Sequence, residues 1–198
     1  PPKVAPLQVV IVPILFDDTR EKVLKEAREL LEKLKKKGIL VHLDDRDSYT
    51  PGWKYNEWEI KGVPVRIEVG PKDIEKKQAM VARRDTGEKK PLPLSHIEAE
   101  IPLLLEKIQQ EMYVKAEKLL KESITTVSTF KDAEAQIEKK KILFVPWCES
   151  EKCEEELKEK LGAKSLNSPF KQPALKKGQS CFACKNTAQS WFYVGRSY

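Results

Sequence analysis

An unbroken apolar run near the start of the chain, followed by a helical pattern and a second apolar run, constrains the fold most. Residues 7–14 (LQVVIVPI) are rich in β-branched side chains, as expected of a strand buried on both faces. Apolar side chains over residues 23–34 recur at helical spacing, with Thr19 offering N-cap chemistry and Gly38 a stop. Residues 39–43 read as the next strand. Strand, helix and strand in this order predict the opening of an α/β layer.

Shorter elements continue this layer up to about residue 123, where we place a domain boundary. The pattern predicts a helix at residues 53–61 and strands at 65–69 and 80–84. Ser95 and Glu98 resemble a capping box at the start of a long amphipathic helix that closes the first domain, residues 1–123.

The remaining segment, residues 124–198, differs from the first domain in its pattern of predicted elements. Helices are predicted at residues 132–140 and 151–161, with a strand at 142–145 between them. Residues 163–180 mix Gly, Pro, Ser and Lys without periodicity, which indicates a loop-rich second domain.

Composition sets limits on partners and compartment. Lys and Arg (37) are interleaved with Asp and Glu (31), and the net charge of +6 permits a polyanionic partner without demanding one. No run approaches the roughly 20 apolar residues that span a bilayer, and the start lacks a secretory pattern. We therefore expect neither membrane insertion nor secretion. The chain opens with two prolines and no Met, so we expect a piece of a longer protein.

All four cysteines fall in the second domain and form two close pairs. The ligand candidates are Cys148, Cys153, Cys181 and Cys184. Two such pairs can converge on one tetrahedral ion, and four thiolates suit a structural Zn²⁺. Lys152 and Lys185 could help neutralise the thiolates. Two disulfides or four free thiols are the alternatives, but a reducing cytosol favours the metal.

Motifs of a self-contained active site are absent from the sequence. It contains no GxxxxGK[ST], HExxH, GxSxG or GxGxxG. The two histidines, His42 and His96, lie in a predicted strand and at a predicted helix start, away from the cysteines. We therefore interpret both as structural.

The central segment is the densest in residues that could contact RNA. Trp53, Tyr55 and Trp58 fall within residues 48–73, and cations occur there and in residues 83–90. Aromatic faces stack on unpaired bases, and Arg or acidic side chains read base edges. The alternative is that the tryptophans belong to the core and the charges to a solvated face.

This segment closely resembles the anticodon-binding domain of prolyl-tRNA synthetases. The strings that carry the likeness are PGWKYNEWE, KGVPVRIEVGPKD and RRDTGEK, and it extends from PPKVAPLQVVIVP at the start to WFYVGRSY at the end. The resemblance implies an α/β anticodon-binding domain with a mixed β-sheet flanked by helices. It also implies a small α+β zinc-type domain after it, of the eukaryotic and archaeal kind.

The same resemblance implies which residues read RNA. It places the readers of the two guanines shared by proline anticodons at Glu59 and Arg66, with Lys89 as a third contact. A carboxylate can accept the guanine N1 and N2 protons, and Arg can donate to O6 and N7. Trp53 and Lys54 are further candidates for RNA contact, with a scaffold role as the alternative. Tyr198 matches a tail that reaches toward the catalytic domain in relatives.

The resemblance further implies a cytoplasmic proline–tRNA ligase, homodimeric at full length, that binds tRNA(Pro). Its catalytic domain, with ATP and Mg²⁺, is absent here, so this chain alone is expected to be inactive. Two alternatives remain: a non-catalytic RNA-binding module, or a structural or interaction module. For the second domain we favour a structural role, because its sequence shows no concentrated basic or aromatic stripe.

Overall fold

The computed structural model describes residues 1–184 and 186–196, which form two compact units. The division falls within a long helix, with residues 1–114 in the first unit and the second beginning at residue 115. That helix ends at Ser123, and we keep the domain boundary at this residue as a proposal. Among the described residues, no helix has the length and apolar character needed to cross a bilayer.

The first unit is built on a five-stranded sheet. Its elements are β1 (Val9–Pro13), α1 (Arg20–Lys36), β2 (Val41–Leu43), α2 (Pro51–Ile60), β3 (Val65–Val69), α3 (Pro71–Glu75), β4 (Gln78–Arg83), β5 (Lys89–Pro93) and α4 (Ile97–Ser123). The strand order is β2-β1-β3-β4-β5, with β1 parallel to β2 and β3, and β4 antiparallel to β3 and β5. This arrangement confirms the mixed sheet that the sequence resemblance implies.

Helices cover both faces of this sheet, which explains the unbroken apolar run in β1. Val9 and Ile11 pack in one cluster with the apolar stripes of α1 and α4. Val10 and Val12 point to the other face, where Tyr55 and Trp58 of α2 pack against them. Because side chains alternate along a strand, α2 shares its face with every second residue of β3.

Three features of the first unit differ from the sequence prediction. Helix α3 and strand β5 form where no separate element is predicted. The predicted capping box does not start α4, because the His96 carbonyl accepts the first amide bonds, from Ala99 (3.1 Å) and Glu100 (2.8 Å). Glu98 pairs with Lys37 at 3.4 Å instead.

The second unit is built on a four-stranded sheet with two helices, α5 and α6. Its elements are β6 (Ile124–Thr126), α5 (Phe130–Glu138), β7 (Ile142–Trp147), α6 (Glu151–Leu161), β8 (Lys164–Asn167) and β9 (Ser190–Gly195). The strand order is β6-β7-β9-β8, parallel between β6 and β7 and antiparallel elsewhere. The predicted α+β class is confirmed, although β6, β8 and β9 lie beyond the sequence prediction.

Candidate nucleic-acid interface and metal centre

Arg66 and Glu59 lie side by side between β3 and the last turn of α2. Arg66 Nη1 donates to Glu59 Oε1 at 2.6 Å, and the Arg66 guanidinium carbon lies 4.2 Å from the centre of the Tyr55 ring. The Arg66 side chain is only 14% exposed, whereas that of Glu59 is 53% exposed. The pair therefore presents a fixed cation beside an accessible carboxylate.

A buried carboxylate, that of Glu68, fixes the position of Arg66. It accepts from Arg66 Nε at 3.1 Å and from Lys89 Nζ at 2.5 Å, and the residue is 2% exposed. Burial, together with the charge and hydrogen bond of Glu68, raises the pKa of the Tyr55 hydroxyl. Both cations are thus anchored by one acidic side chain that the sequence reasoning did not single out.

The register of the sheet explains how Arg66 and Lys89 reach the same carboxylate. Ala82 of β4 pairs with Arg66 on one side and with Lys89 on the other. The three residues therefore form one row across three strands, and the small side chain of Ala82 leaves room for the two long ones. Glu68 lies two residues beyond Arg66 on the same strand, so it faces the same way.

The two arginines of the RRDTGEK string have different surroundings. Arg83 is 5% exposed and paired with Asp85 at 2.7 Å and with Glu111. Arg84 is exposed, and its Nε donates to the Glu59 backbone carbonyl at 2.8 Å. Of these two, Arg84 is therefore the one that adds charge beside Glu59 and Arg66.

Trp53 belongs to a separate aromatic group at the other end of α2. Its ring stacks on Tyr49 with 3.8 Å between centroids, and the Arg46 guanidinium lies over both rings. Trp53 is 44% exposed and Tyr49 is 40% exposed. The stack has accessible surface, but it lies at the opposite end of α2 from Glu59.

Lys54 is placed in the scaffold rather than on the surface. It is 2% exposed, and its Nζ donates to the Asp44 carbonyl at 3.1 Å. The Asp44 carboxylate also accepts two bonds of 2.8 Å from Arg46 and one of 2.7 Å from Trp58 Nε1. Burial alone would raise the pKa of Asp44, but these bonds lower it to about 2. The scaffold alternative is therefore the one that the position of Lys54 supports.

The four cysteines converge as the sequence predicts. Their sulfurs all lie within 4.8 Å of one another, with Cys148 Sγ at 3.5 Å from Cys153 Sγ and 3.7 Å from Cys184 Sγ. Glu149 adopts a left-handed φ of 61°, which turns the chain between Cys148 and α6. The second pair is held against β7, since Phe182 N donates to the Pro146 carbonyl at 2.9 Å.

These sulfurs fit a tetrahedral metal better than a disulfide. A zinc ion with bonds of about 2.3 Å separates its sulfurs by roughly 3.8 Å, whereas a disulfide brings them to about 2.05 Å. Burial raises the pKa of the Cys181 thiol, although backbone amides of Ala183 and Cys184 point at its sulfur and oppose the rise. Four convergent thiols form a ligand set suited to zinc, and the amides that point at Cys181 would stabilise its thiolate by hydrogen bonds.

Three residues with suggested supporting roles are close in sequence to the cysteines or to the end of the chain. Lys152 is exposed at the start of α6, next in sequence to Cys153. Lys185 and Tyr198 lie outside the described residues. Charge neutralisation by the two lysines and contact of Tyr198 with a catalytic domain therefore stay predictions.

Two family models match the chain, one for each unit. Residues 8–103 match "Anticodon binding domain", and residues 130–198 match "Prolyl-tRNA synthetase, C-terminal". The mixed sheet and the Arg66–Glu59 site therefore belong to an anticodon-binding domain, joined to a cysteine-bearing domain.

Comparison with individual proteins narrows the class. The chain is 41% identical to "Proline–tRNA ligase, cytoplasmic" of Arabidopsis thaliana and 42% identical to "Proline–tRNA ligase" of Thermococcus kodakarensis. The whole chain aligns in both cases but spans only 38% and 42% of those relatives. A crystal structure of prolyl-tRNA synthetase from Cryptosporidium parvum, complexed with halofuginone and AMPPNP, superposes with a TM-score of 0.91. It is 45% identical, and the match covers all of this chain and 42% of that one. The chain belongs to the prolyl-tRNA synthetase family.

Proposed function

We propose that this chain selects tRNA(Pro) by its anticodon as part of a longer proline–tRNA ligase. The full-length enzyme would join proline to the tRNA with ATP and Mg²⁺ bound in a catalytic region outside this sequence. The proposal rests on relatives that are named for this activity and are more than twice as long as the matched part. A cytoplasmic location and a homodimeric full-length enzyme are further parts of the proposal.

The observation that carries the proposal is the Arg66–Glu59 pair. The Watson–Crick edge of guanine offers N1–H and N2–H donors beside the O6 acceptor, and N7 lies next to O6. A carboxylate and a guanidinium 2.6 Å apart offer the complementary acceptors and donors within reach of one base. No other base presents this combination, so the pair favours guanine.

The surroundings of the pair reduce the cost of binding. Arg66 is held by Glu68 and lies against Tyr55, so little side-chain freedom remains for RNA to remove. The more exposed Glu59 can leave Arg66 and turn toward a base. Lys89, 43% exposed, adds a cation for a base edge or phosphate. Trp53 stays a candidate for peripheral stacking, and Lys54 is assigned to the scaffold.

In the second unit we propose that Cys148, Cys153, Cys181 and Cys184 hold a structural Zn²⁺. Four thiolates close the coordination shell, so a bound ion would have no open position for substrate. The metal would fix the turn before α6 to the loop before β9 and so stabilise this unit.

The test compares tRNA(Pro) with a copy whose two anticodon guanines are replaced, at one fixed salt concentration. Wild-type chain should lose roughly 10- to 100-fold in affinity, since a good bidentate contact to a base contributes about 1–3 kcal/mol of discrimination. Arg66→Ala and Glu59→Ala should bind both tRNAs similarly and weakly.

Arg20→Ala is the matched control, because Arg20 also pairs with a carboxylate, Asp47, but lies on α1. It should retain the preference for the guanine-containing tRNA. Equal wild-type affinity for the two tRNAs would contradict anticodon reading and leave only a general affinity for polyanions.

A further inference from the structure

The two faces of the second sheet are covered differently. Alternation along β7 and β9 sends Leu143, Val145 and Val194 to one face, where they are fully or almost fully buried with side chains of α5 and α6. The same alternation sends their neighbours to the opposite face. Both helices of this unit therefore pack on one face.

The opposite face carries an aromatic cluster. Phe144 of β7 stacks on Trp191 of β9 with 4.7 Å between ring centroids and an interplanar angle of 15°. Tyr193 lies two residues further along β9, with its ring 4.8 Å from that of Phe144. All three side chains are only partly buried, and Leu166 on the neighbouring strand β8 is 47% exposed. The central strands thus carry adjoining aromatic rings that retain accessible surface.

The chain around this face has an unusual charge pattern. No Asp or Glu occurs from residue 160 to residue 198. The cations in this stretch are Lys160, Lys164, Lys171, Lys176, Lys177, Lys185 and Arg196. Among the residues that the structure describes, Lys164, Lys171, Lys176 and Lys177 are exposed and take part in no ion pair, unlike Lys160 and Arg196.

The loop between β8 and β9 brings part of this charge to the aromatic cluster. Gln172 donates to the Trp191 carbonyl at 3.0 Å and accepts from the Trp191 amide at 2.8 Å. These two hydrogen bonds tie the loop to the strand and so hold the adjacent Lys171 beside β9. Phe170, one residue earlier, is completely exposed.

We propose that this face, formed by Phe144, Trp191 and Tyr193 with Lys171 beside them, binds a single-stranded segment of RNA, and that Lys176 and Lys177 of the same loop add contacts to its phosphates. Bases would stack on the partly exposed rings, and phosphates would be neutralised by lysines that have no carboxylate partner. The surface belongs to a different unit from the Arg66–Glu59 pair, and the proposal does not depend on anticodon reading.

Charge favours RNA over a protein as the occupant. Protein interfaces are depleted of Lys, whereas sheets that bind single-stranded RNA place aromatic side chains on the open face of a four-stranded sheet. The sequence alone favours a structural role for this domain because it shows no concentrated basic or aromatic stripe, and Phe144 and Trp191 are distant in sequence. The pairing of β7 with β9 makes them neighbours.

The test measures binding of a short oligouridine, which lacks guanine, across a salt series. One triple variant combines Lys171→Glu, Lys176→Glu and Lys177→Glu. It should weaken binding roughly tenfold or more and reduce the slope of log K against log salt concentration by about 2. Tyr193→Leu, which keeps an apolar side chain but removes the ring, should weaken binding with the slope unchanged. With 5-iodouridine in the oligonucleotide, crosslinks in the wild-type chain should map to β7 or β9.

The matched control reverses the charge of three exposed lysines of α1 by substitution with Glu. These are Lys22, Lys25 and Lys36. This control and Arg66→Ala should leave oligouridine affinity almost unchanged. If the α1 triple weakens binding as much as the loop triple, or if crosslinks map only to the first unit, the proposal is overturned. Binding that disappears in Arg66→Ala would also overturn it, because the only RNA site would then be the anticodon-reading one.

Discussion

Removing the charge of Glu68 should disturb RNA reading without touching a residue that is proposed to contact RNA. Glu68→Gln keeps the size of the side chain but removes the ion pairs that Glu68 makes with Arg66 and Lys89. Deleting one partner of a buried ion pair typically costs about 3–5 kcal/mol. The cost here should be smaller, roughly 2 kcal/mol, because Arg66 keeps Glu59 and the half-exposed Lys89 can be hydrated.

The effect on binding follows from the loss of a fixed Arg66. A hydrogen bond to a charged group contributes about 1.5–3 kcal/mol, so an Arg66 whose Nε bonds to a neutral amide oxygen should be held less firmly and discriminate guanine roughly tenfold less well. The assay compares the affinities for tRNA(Pro) and for its guanine-replaced copy, and is paired with unfolding in urea. Hydrogen exchange of the β3 amides reports the stability of the first unit separately from that of the second.

Glu75→Gln is the matched control, since Glu75 is exposed at the end of α3. It should change neither stability nor discrimination. The proposed role of Glu68 would be contradicted if Glu68→Gln unfolded at the same urea concentration as Glu75→Gln and discriminated guanine as well as the wild type. A loss of stability with full discrimination would limit Glu68 to a packing role.

Three further predictions concern the metal centre and the Asp44 network. Cys181→Ser should lower the zinc content and the unfolding temperature of the second unit. Its control, Ser180→Ala, should change neither. Equal metal content in the two variants would contradict the zinc site. Because the folded-state pKa of Asp44 is about 2, below its value of 3.8 when unperturbed, its stabilisation of roughly 2 kcal/mol should be present above pH 4 and lost as the pH falls toward 2. The difference in unfolding free energy between wild type and Asp44→Asn should shrink over that pH range, and a constant difference would refute the ionised network. Lys54→Met should leave guanine discrimination unchanged, and a marked loss would return Lys54 to the RNA surface.

The elements that could be predicted from the sequence are those whose pattern is local. Strand β1 is buried on both faces and reads as an apolar run, and the stripe of α1 has helical period, so neither depends on distant residues. Strands β6 and β8 are short, with three and four residues, and carry polar side chains. Strand β9 has three consecutive aromatic residues without alternation. Their existence is decided by pairing partners that are far away in sequence.

The same distinction applies to the site. The family resemblance points to Glu59, Arg66 and Lys89, and these three lie together in the structure. Glu68 escapes sequence reasoning because its importance comes from cross-strand register, which places Arg66, Ala82 and Lys89 in one row. Lys54 is a candidate because lysine is usually exposed, and only the tertiary structure reveals the carbonyl that its ammonium contacts.

Two buried carboxylates of the first unit act on α2. Asp44 holds the helix through Lys54 in its first half and through Trp58 in its last turn. At its end, Arg66 bonds to the Glu59 side chain while Glu68 holds Arg66 in place. Neither carboxylate could be buried at low cost without these partners, because a buried charge must be paired and hydrogen-bonded. For Glu68 the same hydrogen bonds also orient Arg66, the cation that we propose to bind guanine, so its burial supports the geometry of the proposed site as well as the stability of the unit.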